Sequence, residues 1–294
     1  MARRRDHSNI TSNLIRRPIQ RAFAAFLLPT FLCFCIGFLW PFLQGMYLSL
    51  NSFTTTSNAK WVGFVNYAKA FQDAGFRHAF VYTAQVAVVS LILINVLAFA
   101  VAYGLTRGIR GNSFFRGVFF IPNLIGGIVL GYIWKTIIDS VLPVSMSIQA
   151  QYGFWGLIVV MCWQQVGYMM IIYIAGLQAL PEDILEAARI DGANGWQTLF
   201  HITLPNVMPS ITICTFLSLT NGFKLYDQNL VLTNGAPIRR GIGATEMLAL
   251  NIAKTFTTAN QRGVAQAKAV LFFLLVTAIS LIQLRATRSR EVQQ

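Results

Sequence analysis

The chain has 294 residues, of which 55% are hydrophobic and 11% charged, and its mean hydropathy is +0.56. A soluble domain normally carries about 25% charge, so the composition excludes an ordinary soluble protein and points to a membrane protein. The net charge of +13 does not indicate a nucleic-acid partner, because the basic residues sit at the ends of apolar runs, as orienting charges do.

Residues 1–21 are polar and basic, with Arg3, Arg4, Arg5, Arg16, Arg17 and Arg21. The positive-inside bias places such a segment in the cytoplasm. No charged residue follows until after Ala59. A first span is predicted over 22–48, bent at Pro29 and Pro41. It is too long for a cleaved signal and no small-residue cleavage site closes it, so it reads as a signal anchor. Asn51 to His78 reads as an outer polar loop, in which Trp61-Val-Gly-Phe-Val-Asn-Tyr67 suits a membrane interface.

The second span is predicted over 80–105, where the amides Gln85 and Asn95 need partners on other helices. Arg107, Arg110 and Arg116 then mark a cytoplasmic loop. The third span, 115–138, contains Pro122 and Gly126-Gly127, which predict a kink or close helix contact. Residues 139–152 read as outer loop and 154–177 as the fourth span. A polar stretch at 180–205 precedes the fifth span, 207–231. Asn234-Gly235-Ala236-Pro237 is a turn signal, and Arg239-Arg240 opens another outer loop. The last span, 264–284, has an uncharged part that is short for a bilayer needing about 20 residues, so Lys268 is expected to snorkel to the outer headgroups. Residues 285–294 form a basic cytoplasmic tail. The prediction is an all-α integral membrane protein with one six-span domain over 22–284 and both termini in the cytoplasm.

Cys33, Cys35, Cys162 and Cys214 lie in apolar runs and form no Cys-x-x-Cys pair, so free thiols are expected. His7, His78 and His201 lack zinc-ligand spacing, and no metal site is expected.

The polar stretch holds four of the ten acids, Glu182, Asp183, Glu186 and Asp191. Pro181 suits a first helical turn, and Glu182 and Asp183 fall at the positive end of the dipole. Leu185, Ala188 and Ile190 are expected on one apolar side, and Glu186 and Arg189 on neighbouring positions. The small pair Ala187-Ala188 lets another backbone come close. Asp191-Gly192 should end this helix. A second short helix, about 193–200, would carry Trp196, Leu199 and Phe200. A solvated amphipathic loop and a docking knuckle both fit this pattern, and the aromatics favour docking.

The residues Glu186-Ala-Ala-Arg-Ile-Asp-Gly192, followed by Ile202-Thr-Leu-Pro205, resemble the conserved cytoplasmic loop of binding-protein-dependent ABC importer permeases. Gly176-Leu-Gln-Ala-Leu-Pro-Glu182, the 61–67 segment, and Phe223-Lys-Leu-Tyr-Asp227 with Leu232-Thr-Asn-Gly-Ala-Pro237 resemble the maltose- and glycerol-phosphate-type carbohydrate permeases. Asn194-Gly195 departs from the larger polar or basic residue of many relatives, which is expected to loosen the second short helix. The resemblance runs from about residue 20 to 290. It implies the type I importer fold, with 180–205 as the coupling loop and Glu186, Ala187, Ala188, Asp191, Gly192, Trp196 and Phe200 docking on an ATPase. It also implies a second homologous permease, two copies of a cytoplasmic ABC ATPase and an extracellular solute-binding protein. The chain has no Gly-x-x-x-x-Gly-Lys-Ser/Thr loop, so it should bind no cofactor, and ATP and magnesium would belong to the partner ATPase.

A sugar path needs polar groups and aromatic faces at membrane depth. Trp163, Gln164, Gln165 and Tyr168 in span four are candidates, with helix–helix bonding as the alternative for the amides. Asn221, Lys224, Tyr226 and Asp227 in span five are the others. Lys224 and Asp227, three apart, are expected to pair with each other, which leaves Asn221 as the better solute contact. No catalytic constellation supports an enzyme. A secondary transporter would suit six spans with buried polar groups but would not explain the polar knuckle, and a non-sugar solute such as glycerol phosphate fits the same architecture.

Overall fold

The computed structural model describes residues 27–108, 110–141, 146, 149–239, 242–258 and 261–288. The basic segment 1–21, Arg240 and Arg290 lie outside the described residues.

Helix α1 runs from Leu27 to Ser49. It widens into a π-helical turn at Cys35–Leu39, directly before Pro41. Pro41 has no N–H to give the carbonyl one turn back, and a local widening accommodates that loss. Most of α1 is exposed, and Phe42 packs edge-on to Phe273 of the last helix. A two-residue ladder, β1 (Asn51–Ser52) with β2 (Lys60–Trp61), follows. Buried Asn66 on the short α2 (Val65–Gln72) donates to the carbonyls of Ser49 and Asn51. Asp73 then caps α3 (Ala74–Leu105) through the Gly75 N–H, so α3 starts six residues before the predicted 80.

Helices α3 and α6 (Ala150–Gln178) form the centre of the bundle. The buried face of α3 steps through Ala79, Thr83, Ala87, Ser90, Ile94, Ala98 and Ala102. These fall three or four apart and are mostly small, which lets neighbouring helices approach closely. Asn95 finds the cross-helix partners predicted for it: Tyr173 OH on α6 donates to its Oδ1, and its Nδ2 reaches Ser218 Oγ on α9. Gln85 does not: it is exposed and makes no hydrogen bond among the described residues.

Residues 115–138 do not form one helix. Helix α4 (Asn112–Phe120), extended by a tight turn to Leu124, meets α5 (Gly127–Val141) at 100°. Pro122 lies in the tight turn, and the break falls at Ile125-Gly126. The bend is fixed from outside by Gly167 of α6, where a Cβ would overlap the Phe119 carbonyl. Residues 207–231 are also broken. Helix α7 (Glu182–Ile190) and α8 (Gly195–Asn206) lead to α9 (Met208–Phe223), with a 71° bend between α8 and α9. Helix α9 stops after 16 residues, and the chain resumes as α10 (Asp227–Leu232). Continuing one apolar span would carry Asn221, Lys224 and Asp227 into lipid unpaired, whereas irregular backbone is tolerated where it lines a cavity.

Beyond α10, β3 (Ile238–Arg239) pairs with β4 (Ile242–Gly243), and α11 (Leu248–Thr257) completes a cap over one end of the bundle. Helix α12 (Arg262–Arg288) packs on α1, α9 and α11. Among the described residues four helices, α1, α3, α6 and α12, are long and apolar enough to cross a membrane, and the bent pairs α4–α5 and α8–α9 bring the number to as many as six. The four cysteines are free thiols.

Lys268 does not snorkel. It is 1% exposed and donates to Asp73 Oδ2 at 2.6 Å, Asn251 Oδ1 at 2.9 Å and Thr255 Oγ1 at 2.8 Å. Its partners come from the α3 cap and α11, which fold against α12 and satisfy the ammonium within the protein.

Candidate functional site: a polar pocket and an exposed knuckle

The two breaks converge on one polar pocket of about 300 Å³. That is the small end of the range for small-molecule sites, roughly 300–1,000 Å³. Helix α6 supplies Gln164 and Gln165, α9 supplies Asn221, the loop after it Lys224 and Tyr226, α10 Asp227 and Gln228, and the turn after α4 Asn123. The amides tie these elements together. Asn221 Nδ2 donates to Gln165 Oε1 at 3.2 Å, Gln228 Nε2 to Gln164 Oε1 at 2.8 Å, and Gln164 Nε2 to the Ile125 carbonyl at 3.3 Å. Helix α10 approaches so closely because α5 offers Gly127 and Gly131 opposite it. A Cβ at either would lie 2.9 Å from the Cβ of Asp227 or Val231.

Six of the eight predicted path residues, Gln164, Gln165, Asn221, Lys224, Tyr226 and Asp227, line this pocket. Trp163 and Tyr168 do not. Both are partly exposed; Tyr168 lies one turn along α6 from Gln164, outside the pocket, and Trp163 stands edge-on to Trp134 at 5.6 Å. The expected Lys224–Asp227 ion pair is not formed. Three-apart pairing presumes a continuous helix, and the chain unwinds between the two residues. Neither side chain has a hydrogen-bond or ion-pair partner among the described residues, so an ammonium, a carboxylate, a phenol and several amides are available to hydroxyl groups. Asn123 and Gln228 were missed from the sequence. Asn123 follows Pro122 at the break, and a polar residue at a helix break was the signal for it.

At the other end of the bundle stands the knuckle. Glu182 and Asp183 occupy the first turn of α7, and Pro181 sits just outside it. Gly192, at φ +77°, closes the helix, with Gly192 N–H on the Arg189 carbonyl and Ala193 N–H on the Ala188 carbonyl. This is the paired-bond ending that favours glycine. Ala188 and Leu185 turn inward, but Ile190 is 80% exposed. At 100° per residue, Ile190 lies about 200° from Ala188, so the predicted three-residue apolar side loses one member. Glu186 and Arg189 form no ion pair. Glu186, Ala187, Asp191 and Gly192 are exposed, and Ala188 is buried.

Asn194 does not loosen α8. Its Oδ1 accepts from Gln197 N–H at 2.9 Å, and Gln197 Oε1 accepts from Asn194 N–H at 2.8 Å. This reciprocal cap starts a helix that runs past Phe200 to Asn206, with a π-helical stretch at Thr198–Thr203. Trp196 and Phe200 stack at 5.8 Å and are 72% and 55% exposed. A cavity lined by Tyr103, Arg107, Gln178, Glu182, Arg189 and Thr198 separates the knuckle from the end of α3.

The knuckle is inserted between the two helices that carry the pocket amides. Helix α6 runs from Gln164 and Gln165 down to Gln178, and α9 runs from Val207 back up to Asn221. Near the knuckle the two helices are locked by Gly176, where a Cβ would overlap Ser210 Oγ. At the pocket they are joined by the Asn221–Gln165 bond.

Residues 94–291 match the family described as "Binding-protein-dependent transport system inner membrane component". The probable starch degradation products transport system permease protein AmyD of Thermoanaerobacterium thermosulfurigenes is 39% identical, covering 91% of this chain and 94% of its own length. The multiple sugar-binding transport system permease protein MsmF of Streptococcus mutans is 30% identical, covering 91% and 95%. Among solved structures, a bacterial ABC transporter involved in import of the acidic polysaccharide alginate matches with a TM-score of 0.77 at 18% identity, over 94% of this chain and 98% of that one. The fold is that of a type I ABC importer permease, and the chain belongs to the family of binding-protein-dependent transport system inner membrane components.

Proposed function

We propose that this chain is the permease subunit of an ATP-driven importer that moves a sugar or oligosaccharide into the cytoplasm. The observation that carries this reading is the insertion of an exposed, aromatic-bearing knuckle between the two helices that hold the polar pocket. A cytoplasmic ATPase grips the exposed Glu186, Ala187, Asp191, Gly192, Trp196 and Phe200, with Ala188 buried behind them, and displaces the knuckle. Because α6 and α9 are locked near Gly176 and tied through Asn221, the displacement reaches the pocket as a rigid-body movement, the basis of alternating access. The knuckle end and both termini face the cytoplasm, and the cap end faces outward. Two ATPase copies, with ATP and magnesium, power the cycle. A second permease completes the path, and an extracellular binding protein delivers the solute.

The pocket favours a neutral polyol. Its amides, Tyr226 hydroxyl and balanced Lys224 and Asp227 charges suit hydroxyl groups better than a phosphate, which would sit against the Asp227 carboxylate. The relatedness to permeases named for starch degradation products and for multiple sugars supports the same class. The test is ATPase activity of the reconstituted complex with its binding protein and maltose, maltotriose, an amino acid or glycerol phosphate. Stimulation by the maltosaccharides is expected; stimulation only by a non-sugar overturns the sugar reading. Replacing Gly192 by valine, whose side chain resists a positive φ, should abolish coupled uptake. Wild-type uptake by a fully assembled Gly192→Val complex would remove the knuckle from the mechanism.

A further inference from the structure

The cap end holds charge that the pocket and knuckle do not use. Lys268, buried on α12, spends all three ammonium donors on Asp73, Asn251 and Thr255. Asn251 passes the connection on: its Nδ2 donates to Glu246 Oε1 at 2.9 Å. Glu246, 4% exposed, accepts on its other oxygen from Lys254 at 3.0 Å. Lys254 also donates to the Ala236 carbonyl at 2.7 Å. That carbonyl ends a turn in which Asn234, Gly235 and Ala236 all have positive φ, a conformation that costs energy in non-glycine residues and persists only when its surroundings hold it. Two cations and two anions thus close a neutral network joining the α3 cap, α11, α12 and the 234–236 turn.

The network has a route to the pocket. Glu246 lies between Thr245 and Met247, and fully buried Asn229 grips both: its Nδ2 donates to the Thr245 carbonyl at 2.7 Å, and its Oδ1 accepts from Met247 N–H at 3.1 Å. Asn229 is on α10, directly after Asp227 and Gln228, and Gln228 bonds Gln164. Hydrogen bonds and two adjacent peptide units therefore connect Asp73 and Lys268 to the pocket amides. Leu248 N–H also donates to buried Thr83 Oγ1 on α3 at 2.8 Å, so the cap is fastened to α3 beside this route. Lys268 and Glu246, the two buried charges of the network, resist partial displacement, because removing one partner leaves another uncompensated.

We propose that Lys268, acting through Asn251, Glu246 and Asn229, is a positioning residue for transport: it holds α10 so that Asp227 and Gln228 face the solute. Neither Lys268 nor Asn229 touches the pocket, and the proposal rests on the importer reading above. The test uses proteoliposomes containing this chain with its partner permease and ATPase, supplied with binding protein and maltotriose. Asn229→Ala leaves the ionic network whole and cuts its link to α10, and Lys268→Met removes the hub. In assembled complexes both should raise the KM for maltotriose-loaded binding protein by on the order of tenfold, while ATPase activity without binding protein stays at the wild-type level. Lys268→Arg, which keeps the charge, should recover part of the KM. If Lys268→Met fails to assemble, Asn229→Ala decides. An assembled Asn229→Ala complex with wild-type KM overturns the proposal, as does a loss of basal and stimulated ATPase in equal proportion. A wild-type complex unresponsive to maltotriose and to every other sugar overturns the importer reading itself, a result distinct from a responsive wild type with unaffected variants.

Discussion

Two lysines in this protein sit close to carboxylates in sequence or in space and meet opposite fates. Lys268 is buried, ion-paired to Asp73 and saturated with donors used. Lys224 is exposed to the polar pocket, three residues from Asp227, and pairs with nothing among the described residues. Three packed elements surround the first, and a broken helix frees the second. An ionisable group in a membrane protein is therefore not functional by virtue of charge alone. What distinguishes a pocket-lining group is unused hydrogen-bonding capacity directed at a cavity, and what distinguishes an architectural one is complete satisfaction inside the protein.

The largest effect that would break this contrast is on stability. Lys268→Met should destabilise the protein by about 3 kcal/mol, the low end for breaking a buried ion pair, because Asp73 keeps access to water while Asn251 and Thr255 lose their donor. Thermal unfolding in detergent should show it; an unchanged melting temperature would make Lys268 no more architectural than Lys224. Lys224→Met should do the reverse. Stability should stay within about 0.5 kcal/mol, while maltotriose uptake falls several-fold, and unaffected uptake would take Lys224 out of the path. Asn221→Ala is intermediate, because its amide both faces the pocket and bonds Gln165. A stability loss of about 1 kcal/mol together with a rise in KM is expected, and a stability loss alone would make Asn221 a helix tie.

The smallest effect is pH dependence. Burial alone would raise the Asp73 carboxyl pKa, but the hydrogen bond and charge of Lys268, with the Gly75 and Phe76 N–H groups, hold it below its ordinary value. A depressed carboxylate contributes stability that is present above its unfolded pKa and lost as pH falls through the folded one. Melting temperature should be flat near neutrality and begin to fall below about pH 4, the ordinary carboxylate range. Asp73→Asn should flatten that acid limb. An acid limb unchanged in Asp73→Asn would place the proton uptake elsewhere.

Much of the knuckle was legible because polarity in an apolar chain has few explanations. The acids at the start of α7, Gly192 at its end and the exposed aromatics of α8 follow from local rules of capping and periodicity. The same rules, applied at 100° per residue, would have put Ile190 on the outside. They would also have recognised Asn194 and Gln197 as a reciprocal cap. The pocket was half legible. Polar residues at membrane depth drew attention to Gln164, Asn221, Lys224, Tyr226 and Asp227, but the face each presents depends on where the helices break. Trp163 and Tyr168 lie outside the pocket, Tyr168 by one turn of α6 from Gln164.

From its own residues the sequence determined the membrane class, the polar island and the weak points at Pro122, Gly126 and Gly127, because these depend on composition and on neighbours within a few positions. Only the tertiary structure decided how sharply the chain turns there, since the 100° bend is shaped against Gly167 some 40 residues away. It also decided that Lys268 is a hub, because its carboxylate partner lies 195 residues earlier. Hydropathy is a sum over neighbours in sequence, whereas the satisfaction of a charge depends on neighbours in space.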